Sequence, residues 1–234
     1  MKKTIFFLVL IVLAVSVFSY DGVIHDFDTG MKIAKLEQKQ LIVMFSDPGC
    51  YYCNLFTKST LSDETVGRLL MAGYVFVEIY PSNVKTATLE IQGKEEKLTY
   101  NELYAAFGVK GTPTFWFFDE TATPVTSLPG YSKPDFFVNV LRFLGEKAYK
   151  NGMSFADYTA QSHDYMGTHV VLNLSEEDAQ YITENDPLAM NYSPKVTFDP
   201  FRIWITADSE IANELITKGA FRVILVDSPS SSTN

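Results

Sequence analysis

The sequence predicts an α/β fold, a central mixed sheet flanked by helices and followed by a smaller α/β unit. Residues 41–45 (LIVMF) and 114–118 (TFWFF) are short, continuous apolar runs set off by turn formers, the pattern of buried strands. Apolar residues recur at helical spacing elsewhere, most clearly after Pro134. The only two cysteines, Cys50 and Cys53, stand as C-x-x-C directly after the first apolar run and the breaker cluster Ser46-Asp47-Pro48-Gly49, where a helical pattern begins.

In chain order, residues 1–20 have the layout of a secretory leader. Lys2 and Lys3 precede an unbroken run of apolar and small residues over 5–18, and Val17-Phe18-Ser19 offers small residues for a cut before Tyr20. The run is shorter than the ~20 residues of a membrane span. A cleaved signal peptide is expected, with an N-terminal membrane anchor as the alternative. Either places the protein outside the cytoplasm, periplasmic or secreted, where disulfides persist. The formal charge of −9 becomes −11 (−9 − 2) once Lys2 and Lys3 leave. An acidic balance argues against nucleic acid or an anionic membrane as partner and serves solubility.

Asp28 or Thr29 caps a helix predicted to run to about residue 40. The helix after the cysteines reaches about residue 58, and Ser62-Asp63 caps another over 63–72. Residues 74–80 (YVFVEIY) form a second buried strand, and 86–91 with 94–98 flank Gln92-Gly93 as an inserted β-hairpin. Thr99 caps a short helix ended by Gly108. A strand over 114–118, a turn, a shorter strand near 125–128 and a helix over about 134–150 complete this unit, residues 21–161.

The cysteine spacing marks a candidate thiol–disulfide redox site. Cys50 lies at a helix start, where unpaired N–H groups and the helix dipole favour a thiolate, the form that attacks disulfides. Cys53 follows about one turn later, close enough to close a ring with it. Asn54 occupies the place where covalent c-type haem attachment needs His. His25, His163 and His169 are scattered without metal spacing, so no metal and no other cofactor is expected.

Together with the C-x-x-C, the segments Tyr104-Ala105-Ala106-Phe107-Gly108-Val109, Gly111-Thr112-Pro113-Thr114 and Leu128-Pro129-Gly130-Tyr131 make residues ~25–161 resemble the periplasmic thioredoxins, most of all the SoxW-type thiol–disulfide oxidoreductases. The resemblance implies the thioredoxin fold and a cis bond before Pro113, set against the disulfide. Gly111, Thr112, Tyr51 and Tyr52 would contact the substrate, the Thr112 backbone pairing with it like an added strand. It implies reduction of disulfides in exported proteins, with electrons from a membrane thiol reductant. Three features depart from the family pattern. Gly49 and Tyr51-Tyr52 replace the usual Trp and Gly-Pro around the first cysteine, which leaves the redox direction open. Met44 stands where thioredoxins bury an Asp, and Glu78 on the neighbouring strand is the candidate replacement proton carrier, against a solvent-facing Glu at a strand end. Asn54 is the third. A Dsb-type oxidase or isomerase is the rival enzyme, and a binding module with a merely stabilising disulfide is the rival of another class.

Residues 162–227 read as strand, helix, loop, strand, helix, strand, a small α/β unit with parallel pairing. Residues 214–221 faintly resemble the last helix and strand of rhodanese domains. The preceding loop, Thr206-Ala207-Asp208, has no cysteine to carry sulfur, so a docking or structural module is expected. The Ser/Pro-rich tail, 228–234, is expected to be disordered.

Overall fold

The computed structural model describes residues 19–91 and 93–227; the expectations for residues 1–18 and for the tail lie outside them. After the two-residue strand β1 (Val23–Ile24), the Asp26 carboxylate accepts from the Thr29 N–H at 2.9 Å and caps α1 (Phe27–Glu37). The helix ends earlier than its sequence pattern suggested, because Gln38 turns left-handed at φ 51°. Strand β2 (Gln40–Phe45) is buried along its whole length. The Cys50 helix α2 (Tyr51–Leu55) widens into a π turn (Phe56–Thr60), and Asp63 caps α3 (Glu64–Gly73) as its sequence predicts. Strand β3 (Tyr74–Ile79) leads to the hairpin β4 (Thr86–Ile91) and β5 (Lys94–Thr99), a two-stranded sheet of its own. A Thr99–Glu102 capping box opens α4 (Tyr100–Ala106).

Strands β6 (Thr114–Phe118) and β7 (Pro124–Pro129) complete a central sheet of order β1-β3-β2-β6-β7. The β1–β3 and β2–β3 pairs are parallel, and the β2–β6 and β6–β7 pairs antiparallel. Helix α5 (Pro134–Gly145) stops five residues short of Lys150, because Lys147 adopts φ 55° and a 3-10 turn (Ala148–Asn151) follows. A short helix α6 (Phe155–Thr159) ends the unit.

Alternation along the central strands builds two cores. Ile42, Met44, Phe76, Phe115 and Phe117 face α3, α5 and the π turn, where the Phe56 ring lies 4.6 Å from Phe115 and 5.1 Å from Phe137. Leu41, Val43, Phe45, Val75 and Val77 face α1 and α4. Helix α1 crosses β3 so closely that a Cβ on Gly30 would meet Val77 Cγ2 at 2.1 Å, so only glycine fits there.

The C-terminal unit is a separate four-stranded sheet built from β8 (Val170–Leu174), α7 (Glu176–Asn185), β9 (Ala189–Asn191), β10 (Ile203–Thr206), α8 (Ser209–Thr217) and β11 (Arg222–Val226). Its order is β8-β11-β10-β9, and every pair is parallel, as the short crossovers predicted. The edge strand β9 lies inside what the sequence read as a loop. Trp204 and Val223 pack with Ala212 and Leu215 of α8. On the other face, Leu172, Ile203, Ile205 and Ile224 join Ile182 of α7 in one continuous core with Tyr20, Leu69, Leu70 and Phe76. Where the units meet, the Glu37 and Lys39 side chains are fully buried against each other, Nζ to Oε2 3.1 Å.

Candidate functional site

The site is assembled where β2 and β3 run out. Ser46 N–H donates to the Ile79 carbonyl at 2.9 Å, so the two strands end together. The Tyr104 hydroxyl lies 2.5 and 2.7 Å from the Ser46 and Ile79 carbonyl oxygens and fixes both ends from α4. Beyond Ser46 the Asp47 carboxylate accepts from Gly49 N–H at 2.9 Å, and the Asp47 carbonyl accepts from Cys50 N–H at 3.0 Å. This Asx turn, completed by Pro48 and Gly49, delivers Cys50 as the N-cap residue of α2.

Cys50 and Cys53 are joined as a disulfide. They are unequal: Cys50 is half-buried, whereas Cys53 is only 3 % exposed beneath the helix. The Cys53 backbone N–H points at Cys50 Sγ, 3.0 Å away. It is one of the donors a helix start leaves unpaired, and with the disulfide open it would stabilise negative charge on that sulfur.

Tyr51 and Tyr52, 72 % and 55 % exposed, form an aromatic surface beside the sulfurs, with ring centroids 5.3 Å apart edge to face. Tyr52 also stacks with Tyr131, 6.3 Å centroid to centroid. The Tyr131 hydroxyl is 3.0 Å from Ser59 Oγ in the π turn, and Thr60 Oγ1 donates to the Ser132 carbonyl at 2.7 Å. The redox helix is thus tied to the segment between β7 and α5. Sequence reasoning assigned Tyr131 no role; its position directly after the Pro129-Gly130 turn was the available signal.

The Thr112–Pro113 peptide is cis, as the family resemblance implied. Strand β6 starts with Thr114 opposite Phe45, so antiparallel pairing puts Gly111, Thr112 and Pro113 at the same end of the sheet as the cysteines. The Pro113 carbonyl accepts from Gly130 N–H at 2.8 Å. Pro113 is buried, Thr112 half-buried and Gly111 exposed, and the three border a cleft of about 330 Å³ that also touches Trp116 and Pro129. Larger cavities lie away from the sulfurs, one of about 880 Å³ between α1, the hairpin and the β6–β7 turn. Exchange with a protein disulfide needs a sulfur reachable from an open surface, which Cys50 offers and Cys53 does not.

Met44 is fully buried among Phe56 and Phe115, so the position under the helix is apolar. Glu78 pairs with Met44 in register and shares its face of the sheet. Its side chain is 12 % exposed, and Oε2 lies 4.0 Å from His25 Nδ1. It is neither a solvent-facing end residue nor fully buried. Beside it the Tyr80 hydroxyl is pushed up to about 12, first by burial and then by the hydrogen bond and charge of Glu78. Among the described residues no group of three or more His, Cys, Asp or Glu is placed to hold a metal ion.

A mixed sheet ending in a C-x-x-C disulfide at a helix start, with a cis-proline loop at the same end, defines a thioredoxin-type protein. The chain belongs to the thioredoxin-like domain family, which it matches over residues 27–145, just over half its length. Similar solved structures include a thioredoxin-fold protein from Helicobacter pylori, 22 % identical with a TM-score of 0.46, covering 72 % of this chain and 91 % of that one. A thioredoxin from Thermus thermophilus is 24 % identical with a TM-score of 0.44, over 60 % and 96 %. The C-terminal domain of Neisseria meningitidis DsbD in its reduced form is 20 % identical with a TM-score of 0.36, over 48 % and 88 %. No curated protein matches the sequence.

Proposed function

We propose that the protein is an extracytoplasmic thiol–disulfide oxidoreductase of the SoxW type that reduces disulfides in exported proteins. The observation that carries this reading is the inequality of the two sulfurs: Cys50 is reachable and faces the Cys53 N–H, while Cys53 is covered. The Cys50 thiolate attacks one sulfur of a client disulfide, forming a mixed disulfide and releasing the other client sulfur as a thiolate. Cys53, giving up its proton, then attacks Cys50 Sγ. That closes the Cys50–Cys53 bond and expels the second client sulfur, so two electrons have passed to the client. A membrane thiol reductant returns them. Gly111, Thr112, Tyr51 and Tyr52 contact the client, Pro113 shapes the adjoining loop, and Glu78 takes part in proton transfer from Cys53. The C-terminal unit serves as a docking or structural module, without sulfur transfer, because the 206–208 loop has no cysteine.

A leader cut before Tyr20 suits this reading, since that ring is 8 % exposed and packs edge-on against Phe76 at 6.2 Å. Expressed in its own compartment, Cys53→Ala should accumulate mixed disulfides with its clients, identifiable by mass spectrometry after non-reducing purification. Trapping by Cys50→Ala instead would reverse the roles; trapping by neither would leave the disulfide a structural brace. The reduction potential sets the direction: a value near about −270 mV fits a reductase, and one near about −120 mV an oxidase of the Dsb type.

A further inference from the structure

Arg222 opens β11 at the seam between the two units and is 5 % exposed. Its Nε is buried with no hydrogen-bond partner among the described residues. Burial disfavours its charge, and the carboxylate that acts most strongly to restore it is Glu37, itself paired with Lys39 at 3.1 Å. A guanidinium carries five donors, and burying them is unfavourable unless something accepts from them.

Arg222 lines a cavity of about 220 Å³ that both units build. The first unit supplies Gln38, Glu120 and Lys147, the connecting segment Tyr165 and Thr168, and the second unit Arg222. Glu120 is not one of the groups that act on the Arg222 charge: its Oε1 holds Lys147 Nζ at 2.6 Å, and its Oε2 is buried without a hydrogen-bond partner among the described residues. Of the three charged groups on the wall, Glu120 and Lys147 cancel and the Arg222 charge remains. The volume falls below the ~300–1,000 Å³ of sites for drug-sized ligands, but it admits one small ion with a few waters. Ligand sites also favour such domain seams.

We propose that this seam cavity binds a small oxyanion of phosphate or sulfate size, held by the Arg222 guanidinium and supported by the amide and hydroxyl groups of Gln38 and Thr168. The anion supplies the acceptors Arg222 lacks and bridges the two units. The site stands apart from the cysteines: Gln40, the first residue of β2, and Gly73, the residue before β3, border it, whereas the redox helix leaves the other end of β2. Six residues of strand separate the two ends by ~20 Å.

Thermal unfolding of the full chain, titrated with potassium phosphate, sulfate or acetate at ionic strength held constant with chloride, tests the proposal. The expected result is a saturable rise in Tm at millimolar phosphate or sulfate that disappears in Arg222→Gln. Saturation by acetate alone would overturn the assigned size and class. A rise that never saturates, or that persists in Arg222→Gln, would be general salt exclusion and would mean the cavity holds only water. Should Arg222→Gln fail to fold, the phosphate dissociation constant of Lys147→Gln, read from ³¹P line broadening, decides. That side chain is 39 % exposed, so the fold tolerates the change. Weakening by threefold or more sustains the proposal; an unchanged constant defeats it.

Discussion

The five-stranded sheet carries its own helices on both faces, whereas the four-stranded sheet has α8 on one face and, on the other, α7 within a core that it shares with the first unit. The first unit can therefore hold a redox site at one end of a rigid sheet. The second completes its own burial only against the first, so its stability is borrowed. Function and dependence sit at opposite ends of the molecule: the sulfurs beyond the ends of β2 and β3, the seam at their beginnings. If this contrast holds, damage at one end leaves the other intact.

The largest expected effect comes from the sulfurs. Cys50→Ser should abolish turnover of a disulfide substrate, because the one remaining cysteine, Cys53, is covered and cannot make the first attack, while the unfolding transition remains single and cooperative. Next comes the shared core. Ile224→Ala, at a fully buried position, should cost about 2–5 kcal/mol, seen as a lower midpoint in chemical denaturation. If the two units depend on one another, circular dichroism and tryptophan fluorescence, the latter reporting Trp116 and Trp204, will give coincident curves; separate curves would mean two independent domains. The same variant should keep the wild-type rate of disulfide exchange.

Smaller effects sharpen the contrast. Glu78→Gln should slow resolution of the mixed disulfide severalfold and leave the first attack nearly unchanged; equal single-turnover rates for both steps would remove Glu78 from the mechanism. At the seam, burial pushes the Glu37 carboxyl up from 4.5 to about 8 against the opposing pull of Lys39. The folded state then holds that proton more tightly than the unfolded chain. This contribution is fully present below pH ~4.5 and is lost as pH rises toward 8. Between pH 5 and 9, wild-type Tm should therefore fall more steeply than that of Glu37→Gln, while the rate of disulfide exchange at the far end follows the same pH profile in both proteins.

Much of this molecule can be read from its residues. The two apolar runs became β2 and β6, Asp63 and Thr99 cap the helices they were expected to cap, and Thr112–Pro113 is cis. Strands β1 and β9 escaped because two or three residues show no period. The π turn escaped for another reason. Ser59 and Thr60 bond to Tyr131 and Ser132, some seventy residues away, and no local pattern records that. The seam was hidden by its charges, since Glu37, Lys39 and Arg222 read as surface residues until two units close over them. In the candidate site the cysteines and the Pro113 loop were legible, while the part of Tyr131 in the aromatic surface was not.

The bond between Tyr131 and Ser59 has a spectroscopic consequence. A client that settles on Tyr52 meets the Tyr131 ring stacked there, and the hydroxyl of that ring holds Ser59, whose Oγ also donates to the Leu55 carbonyl at 2.7 Å. Contact at the surface is thereby relayed into the backbone of the helix behind the cysteines. The amides of the π turn form a built-in reporter: their chemical shifts and exchange rates should register a docked client in a protein with both cysteines replaced, where no sulfur chemistry can follow.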